Sequence, residues 1–232
     1  MLTIYPFKKL GKVDHGWLQA RHHFSFASYY DPQRMSFGVL RVINDDIIKP
    51  NTGFPQHPHD NMEIITYVRS GAITHKDTKG NYGVTSAGDI QVMSAGSGIE
   101  HSEYNLEDKN TNLYQIWISP NKHNVNPRWE QKTFPKHYIK DSLPLLVSGN
   151  KSDSNALFIY QDAQLYGGNL AKDTSILHRI KHQAYILVSK GKARVNADLL
   201  FTGDGAEVVT EPQITITALE DTEILIIDVP VQ

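Results

Sequence analysis

The chain has 232 residues, of which 40% are hydrophobic and 21% are charged, and these values are typical of a globular protein with one large domain or two small ones. Its formal net charge of −2 gives no overall attraction to nucleic acid, so we expect no direct nucleic-acid binding. The absence of cysteine excludes disulfides, zinc–thiolate sites, iron–sulfur clusters and thiol catalysis, so any metal must be bound by nitrogen and oxygen.

No secretory or membrane-spanning segment is expected. The segment 1–9 has no basic stretch followed by a long apolar one. No apolar run approaches the roughly 20 residues that span a bilayer. The simplest expectation is a cytoplasmic protein that does not bind membranes.

Short runs rich in β-branched and aromatic residues predict strands along the whole chain. They are separated by Gly, Asn, Asp and Pro, and long stretches of helical periodicity are scarce. In chain order the clearest runs are 37–43, 63–68, 89–93, 113–118, 184–188, 213–217 and 223–228. This pattern predicts an all-β protein built as a barrel or a sandwich.

The two halves of the chain resemble each other. The matching segments are 63–71 with 183–191, and 87–92 with 202–207. A strand, a Gly turn, a second strand and a Gly-Asp pair recur in the same order, which favours duplication of one barrel unit. The polar, proline-bracketed segment 119–127 is typical of a linker. We therefore predict an N-terminal barrel over 1–127 and a C-terminal barrel over 128–232.

The segment 53–63 carries the first candidate metal ligands, His57, His59 and Glu63. Alternate side chains of a strand point to the same face, so these three share a face if the segment is extended throughout. Pro58 favours an extended backbone at His57, because the residue before a proline is pushed out of the helical region.

A second segment repeats this spacing, with His101 and Glu103 two residues apart after a Gly-rich turn. If the two segments meet inside a barrel, they supply three imidazoles and one carboxylate, and parity allows either Glu63 or Glu103 to be that carboxylate. Such a set suits one divalent transition metal ion, namely iron, nickel, copper, manganese or zinc. Calcium and magnesium prefer sites made only of oxygen.

These two segments resemble the two sequence motifs of the cupin family, with Ser94 standing where the general motif has proline. Further stretches resemble pirin and the pirin-like bicupins: 16–18, 24–31, 40–46, 57–59, 93–99 and 101–105. The resemblance is strong over 14–134 and looser beyond. It implies a bicupin, two cupin barrels in tandem, with iron as the first choice of metal. The implied metal ligands are His57, His59, His101 and Glu103, and Glu63 is then a supporting residue.

The same alignment of the two halves predicts that the C-terminal barrel binds no metal. The positions equivalent to the four ligands are Leu177, Arg179, Ile216 and Ala218. None of these side chains can replace a histidine or a carboxylate in such a site. His178 and His182 are accordingly interpreted as surface or packing residues.

Four aromatic residues near the start of the first barrel have two interpretations: Trp17, Phe24, Phe26 and Tyr30. They form either the apolar wall of a ligand pocket or part of the core. Both alternatives stay open at the level of sequence.

The family resemblance also implies a function. The short bacterial members are described as quercetin 2,3-dioxygenases, which implies a ring-cleaving dioxygenase that acts on a flavonol such as quercetin with O2 and releases carbon monoxide. Glu103 would be the catalytic base that takes the proton of the flavonol hydroxyl. The alternative is a non-catalytic, metal-binding regulator that binds a transcription factor or another protein partner. A solvent-connected cavity at the metal favours the enzyme, and a sealed metal favours the regulator.

Overall fold

The computed structural model describes residues 1–134 and 136–232. In these residues the regular structure consists of β-strands and one short 3-10 helix at Phe7–Lys9. None of the helical structure they contain is long and apolar enough to cross a lipid bilayer. The prediction of an all-β protein is confirmed.

The strands follow one another at short intervals. Those of the first part are β1 (Leu2–Tyr5), β2 (Gly11–Asp14), β3 (Leu18–His22), β4 (Leu40–Ile48), β5 (Thr52–His59), β6 (Glu63–Ser70), β7 (Ala72–Asp77), β8 (Tyr82–Ser86), β9 (Ile90–Ser94), β10 (Ile99–Asn105), β11 (Thr111–Ile118) and β12 (Arg128–Lys132). Those of the second part are β13 (Tyr138–Ile139), β14 (Leu145–Ser148), β15 (Leu157–Phe158), β16 (Gln164–Leu170), β17 (Ser175–Arg179), β18 (Gln183–Lys190), β19 (Lys192–Val195), β20 (Asp198–Phe201), β21 (Gly205–Val208), β22 (Gln213–Ala218) and β23 (Thr222–Val229).

Four sheets build two lobes with the same plan. The first lobe pairs a seven-stranded sheet, in the order β12-β9-β6-β11-β4-β3-β2, with a four-stranded sheet, β5-β10-β7-β8. The second lobe pairs a sheet of the order β1-β21-β18-β23-β16-β14-β15, to which β13 is added at β16, with the four-stranded sheet β17-β22-β19-β20. The two orders correspond strand by strand, as expected for a duplicated unit.

The lobes exchange one edge strand. β1, at the start of the chain, pairs with β21 of the second lobe, and β12, which follows the inter-lobe segment, pairs with β9 of the first. The predicted limits of 1–127 and 128–232 would assign β1 to the first lobe and β12 to the second. In the structure each of these edge strands completes the large sheet of the other lobe. The division into two barrel domains with those limits stays a proposal.

The large sheets of the two lobes pack against each other. In β6, Ile65 and Tyr67 point to the core between the lobes, and in β18, Tyr185 and Leu187 do the same. Since side chains alternate along a strand, the intervening residues of both strands point into their own lobe. Both faces of these strands are thus buried, which explains their nearly continuous apolar sequence.

The interiors of the two lobes differ in chemistry. The inward residues of the large sheet of the first lobe include polar side chains that are almost fully buried: Asn44, Asp46, Thr66, Gln91 and Gln115. The inward residues of the second lobe are aliphatic: Ala184, Ile186, Val188, Ala206, Ile224 and Ile226. The polar lining makes the first lobe the candidate location of the predicted metal site.

His178 of the second lobe allows a test of buried-histidine energetics. Its ring packs edge-on against Tyr166 at 4.8 Å, and burial lowers its pKa to about 4. In the unfolded chain the pKa is about 6.5, so the unfolded state binds more protons between these two values. The free energy of unfolding should therefore be fully maintained above pH ~6.5 and should fall as the pH drops toward 4.

We expect His178→Phe, which keeps an aromatic ring but cannot be protonated, to show a shallower loss of stability across that range. Urea denaturation of both proteins at a series of pH values, with chelator present to remove metal effects, measures the two slopes. Equal slopes would contradict the prediction.

Candidate metal centre

Strands β5 and β10 bring the three predicted histidines together. They pair antiparallel with His101 directly opposite His57 and with Ile99 opposite His59. The metal-ligating nitrogens of His57, His59 and His101 all lie within 4.8 Å of one another, and their ring centroids are 4.5 to 5.0 Å apart. The predicted convergence of the two segments is thus observed, while the role of these residues as metal ligands stays a prediction.

The protonation of these histidines fits metal coordination. Burial lowers the pKa of His101 to about 3, and the neighbouring His57 and His75 add to the effect. Burial, followed by the proximity of His101 and His57, lowers the pKa of His59 to about 4. Both imidazoles are therefore neutral near pH 7, which is the form that binds a metal.

Hydrogen bonds also leave the coordinating nitrogens available. The Nδ1 atom of His57 lies 2.7 Å from the carbonyl oxygen of Pro55, an acceptor that requires a proton on Nδ1 and leaves the lone pair on Nε2. The Nε2 atom of His101 is buried and has no hydrogen-bond partner among the described residues. A metal ion is a suitable partner for such an atom, so the residues fit the proposed group.

Glu103 lies beside this triad and is firmly anchored. One of its oxygens and a ring nitrogen each of His75 and His101 form a second group within 4.8 Å. Its Oε1 atom accepts hydrogen bonds from Gln91 Nε2 at 2.6 Å and Thr66 Oγ1 at 3.3 Å, and its Oε2 atom accepts one from Gln115 Nε2. These donors fix a carboxylate next to His101, and the assignment of Glu103 as the fourth ligand stays a prediction.

Glu63 is placed differently from the histidines that precede it. The extended segment ends at His59, the chain turns with Asn61 at a φ of 41°, and Glu63 begins β6. Its carboxylate accepts a hydrogen bond from Ser94 Oγ at 2.7 Å, and burial raises its pKa to about 7. The groups of close ligand atoms in the described part of the chain do not include it. The alternation of side chains that links His57 and His59 does not extend to Glu63, because the strand that carries the two histidines ends before it.

A cavity of about 290 Å³ opens onto the triad. Its outer part is lined by partly exposed apolar residues, namely Phe26, Phe54, Pro55 and Trp117. Its floor is lined by buried polar residues, namely Asp46, His101, Glu103 and Gln115. Small-molecule sites commonly measure about 300–1,000 Å³ and combine apolar walls with a few polar groups, so this cavity suits a small ligand.

The four aromatic residues near the start of the first barrel lie in different environments. Phe26 lines the cavity and packs edge-on against Trp117 at 5.4 Å. Trp17 packs against Phe54, and Phe24 lies in the core between the lobes. Tyr30 is 72% exposed. Only one of the four therefore lines the cavity.

Asp46 is a cavity residue that sequence reasoning missed. Its side chain is 1% exposed, and its Oδ1 atom has no hydrogen-bond partner in the part of the chain described. Burial raises its pKa well above the ordinary value, and the charges of Asp45 and Glu103 add to this. The available signal was a run of polar residues, Asn44 to Asp46, inside an otherwise apolar strand.

Comparison with known proteins identifies the family. The sequence profile described as Pirin matches residues 5–118, and the profile described as Quercetinase C-terminal cupin domain matches residues 145–229. A pirin-like protein of Caulobacter vibrioides is 52% identical over 98% of this chain and 99% of its own length. The chain belongs to the pirin family.

Other pirin relatives carry functional names or metals. The quercetin 2,3-dioxygenase of Escherichia coli K12 is 42% identical over 99% of both chains. The crystal structure of the bacterial pirin YhhW from Escherichia coli in complex with nickel(II) superposes with a TM-score of 0.93, at 41% identity and with full coverage of both chains. The two-lobed cupin fold predicted for this pirin-family chain is confirmed.

The choice between the two glutamates can be tested by metal binding. We expect Glu103→Gln to weaken nickel(II) affinity by at least the roughly 10–100-fold that loss of an outer partner costs, because an amide is a poorer ligand than a carboxylate. Glu63→Gln, which keeps an acceptor for Ser94, should stay close to wild type. Competition with a chelator of known affinity measures both, and the reverse ranking would assign the ligand to Glu63.

Proposed function

We propose that this protein is a metal-dependent dioxygenase that cleaves a flavonol such as quercetin with O2, opening the heterocycle and releasing carbon monoxide. The observation that carries the proposal is the cavity, which joins an aromatic entrance to a polar floor at the histidine triad. The name quercetin 2,3-dioxygenase borne by a 42% identical relative supports the same reaction.

The shape of the cavity supports an enzyme over a regulator with a sealed metal. His57 and His59 are partly exposed, and Pro55 at the cavity wall is exposed, so the triad is reached from solvent. Phe54 and Trp117 stand at the same entrance and can hold a planar ring by stacking or edge contacts.

The residues of the floor have distinct roles in this proposal. His57, His59, His101 and Glu103 would hold the ion, for which the pirin resemblance favours iron, with nickel, copper, manganese or zinc as the alternatives that the donors permit. The bound metal supplies Lewis acidity to the substrate hydroxyl and access to dioxygen chemistry. Glu103, kept in place by its amide donors, accepts the proton of that hydroxyl. The apolar walls limit entry of water.

The enzymatic proposal predicts turnover that depends on the triad. Metal-loaded protein incubated aerobically with quercetin should consume its visible absorbance and release carbon monoxide. His101→Ala should abolish this turnover, because it removes one of the proposed metal ligands. It also enlarges the cavity. His123→Ala, at an exposed histidine outside the cavity, is the matched control and should behave as wild type. Turnover no faster than with free metal salt, or full turnover by His101→Ala, would refute the proposal.

Asp46 should bind a polar group of the substrate other than the hydroxyl that meets the metal. The Oδ1 atom of Asp46 has no partner among the described residues and can form a hydrogen bond with a substrate hydroxyl, so Asp46→Leu should raise KM for quercetin about tenfold, the effect of roughly one lost hydrogen bond. Asp46→Asn keeps a hydrogen-bonding side chain and should retain most of the affinity. With 3-hydroxyflavone, which lacks the other ring hydroxyls, steady-state kinetics should show little difference among the three proteins. An equal effect on both substrates would show that Asp46 acts through cavity shape.

A further inference from the structure

A buried aspartate–histidine pair contacts His101 and does not line the cavity. His75, on β7, is fully buried, and its Nε2 atom lies 3.0 Å from Asp77 Oδ2. Its other ring nitrogen, Nδ1, lies 3.4 Å from Nδ1 of His101. We propose that Asp77 and His75 are positioning residues that fix the tautomer and the ring orientation of His101, so that its Nε2 atom is presented to the metal. This inference rests on the proposed metal site.

Asp77, His75 and His101 form a series of hydrogen bonds, and the direction of each bond can be assigned starting from Asp77. Its Oδ1 atom accepts hydrogen bonds from the backbone N–H groups of Lys79 and Asn81, and its Oδ2 atom accepts one from Asn81 Nδ2 at 2.9 Å. All these neighbours are donors, so the carboxylate acts only as an acceptor. The proton between Asp77 and His75 must therefore lie on Nε2 of His75.

The same reasoning extends from the ring of His75 to the ring of His101. The two facing Nδ1 atoms can share only one proton, and in the proposed arrangement Nδ1 of His75 is the acceptor. The facing Nδ1 atom of His101 must then carry the proton and donate it. The lone pair of His101 is left on Nε2, the buried atom that has no partner among the described residues.

Packing against Trp129 holds the imidazole ring of His75 in place. The indole of Trp129, on β12, lies parallel to the His75 ring at a centroid distance of 4.8 Å and an interplanar angle of 9°. Trp129 is in turn confined by Gly83, since a Cβ atom at that position would come within 2.3 Å of the indole. A stacked ring cannot tilt away, so its two nitrogens stay directed at Asp77 and His101.

The arrangement gives His101 a different environment from that of His57. The Nδ1 atom of His57 contacts a neutral backbone carbonyl, whereas that of His101 is connected through His75 to a carboxylate. A carboxylate behind a ligating histidine raises the basicity of the ring and strengthens metal binding. The outer contacts of His101 are therefore expected to matter more for metal affinity than those of His57.

The decisive measurement is the tautomer of His101 in metal-free protein. Nitrogen-15 NMR of the imidazole rings should show the proton of His101 on Nδ1 in wild type. In His75→Phe, which keeps the stack on Trp129 but removes both hydrogen bonds, we expect this preference to be lost. A wild-type His101 protonated on Nε2 would overturn the inference, and that result needs no variant to fold.

Metal affinity gives a second readout. Nickel(II) affinity, measured by chelator competition, should fall about 10–100-fold in His75→Phe. His75→Gln should recover most of the affinity, because its amide can donate to Asp77 and accept from His101. His178→Phe is the matched control, since it also replaces a buried histidine packed on an aromatic ring, and it should bind within about twofold of wild type. Thermal unfolding of the metal-free proteins verifies that the variants are folded.

The outcomes separate the two proposals. A wild-type protein that binds no nickel would refute the metal site itself. A wild-type protein that binds nickel while His75→Phe binds it equally well would refute only the positioning role of His75 and Asp77.

Discussion

The register between β5 and β10 determines what the first lobe can bind. Because His101 lies directly opposite His57, the imidazoles of both strands point to one side of the small sheet. A slip by one residue would turn the side chains of one strand to the opposite face and separate the ligand nitrogens. The pairing also shifts after His101, so that Glu103 faces Phe54. This irregularity brings an aromatic wall next to the carboxylate.

The carboxylate of Glu103, on β10, accepts hydrogen bonds from side chains of the opposite sheet. Gln91, Gln115 and Thr66 come from three adjacent strands of the large sheet and all donate to Glu103. Hydrogen bonds thus connect the two sheets of the first lobe at the place where aliphatic side chains fill the second lobe. The same backbone plan supports a packed core in one copy and a polar floor with the candidate site in the other.

Much of this arrangement could be predicted from sequence, and the failures have physical causes. The strands were predictable because apolar and turn residues alternate at short range, and the histidines because two-residue spacing places them on one face. Glu63 was ambiguous because parity holds only while a strand continues, and the turn at Asn61 ends it. Asp46 and Gln115 reach the cavity through long-range strand pairing, which leaves little trace in local sequence. His75 lies 26 residues before its partner His101 and belongs to no recognisable motif.

The exchange of edge strands has a consequence for how the polypeptide reaches its native state. β1 leaves the ribosome long before its partner β21, which spans Gly205–Val208. The second lobe therefore cannot close its large sheet until β21 has been synthesised, and until then β1 lacks its partner in that sheet. Contacts of such long sequence separation slow folding, since a large loop must be ordered before they form. An N-terminal extension or a short deletion before Tyr5 should accordingly slow the folding of the second lobe more than that of the first.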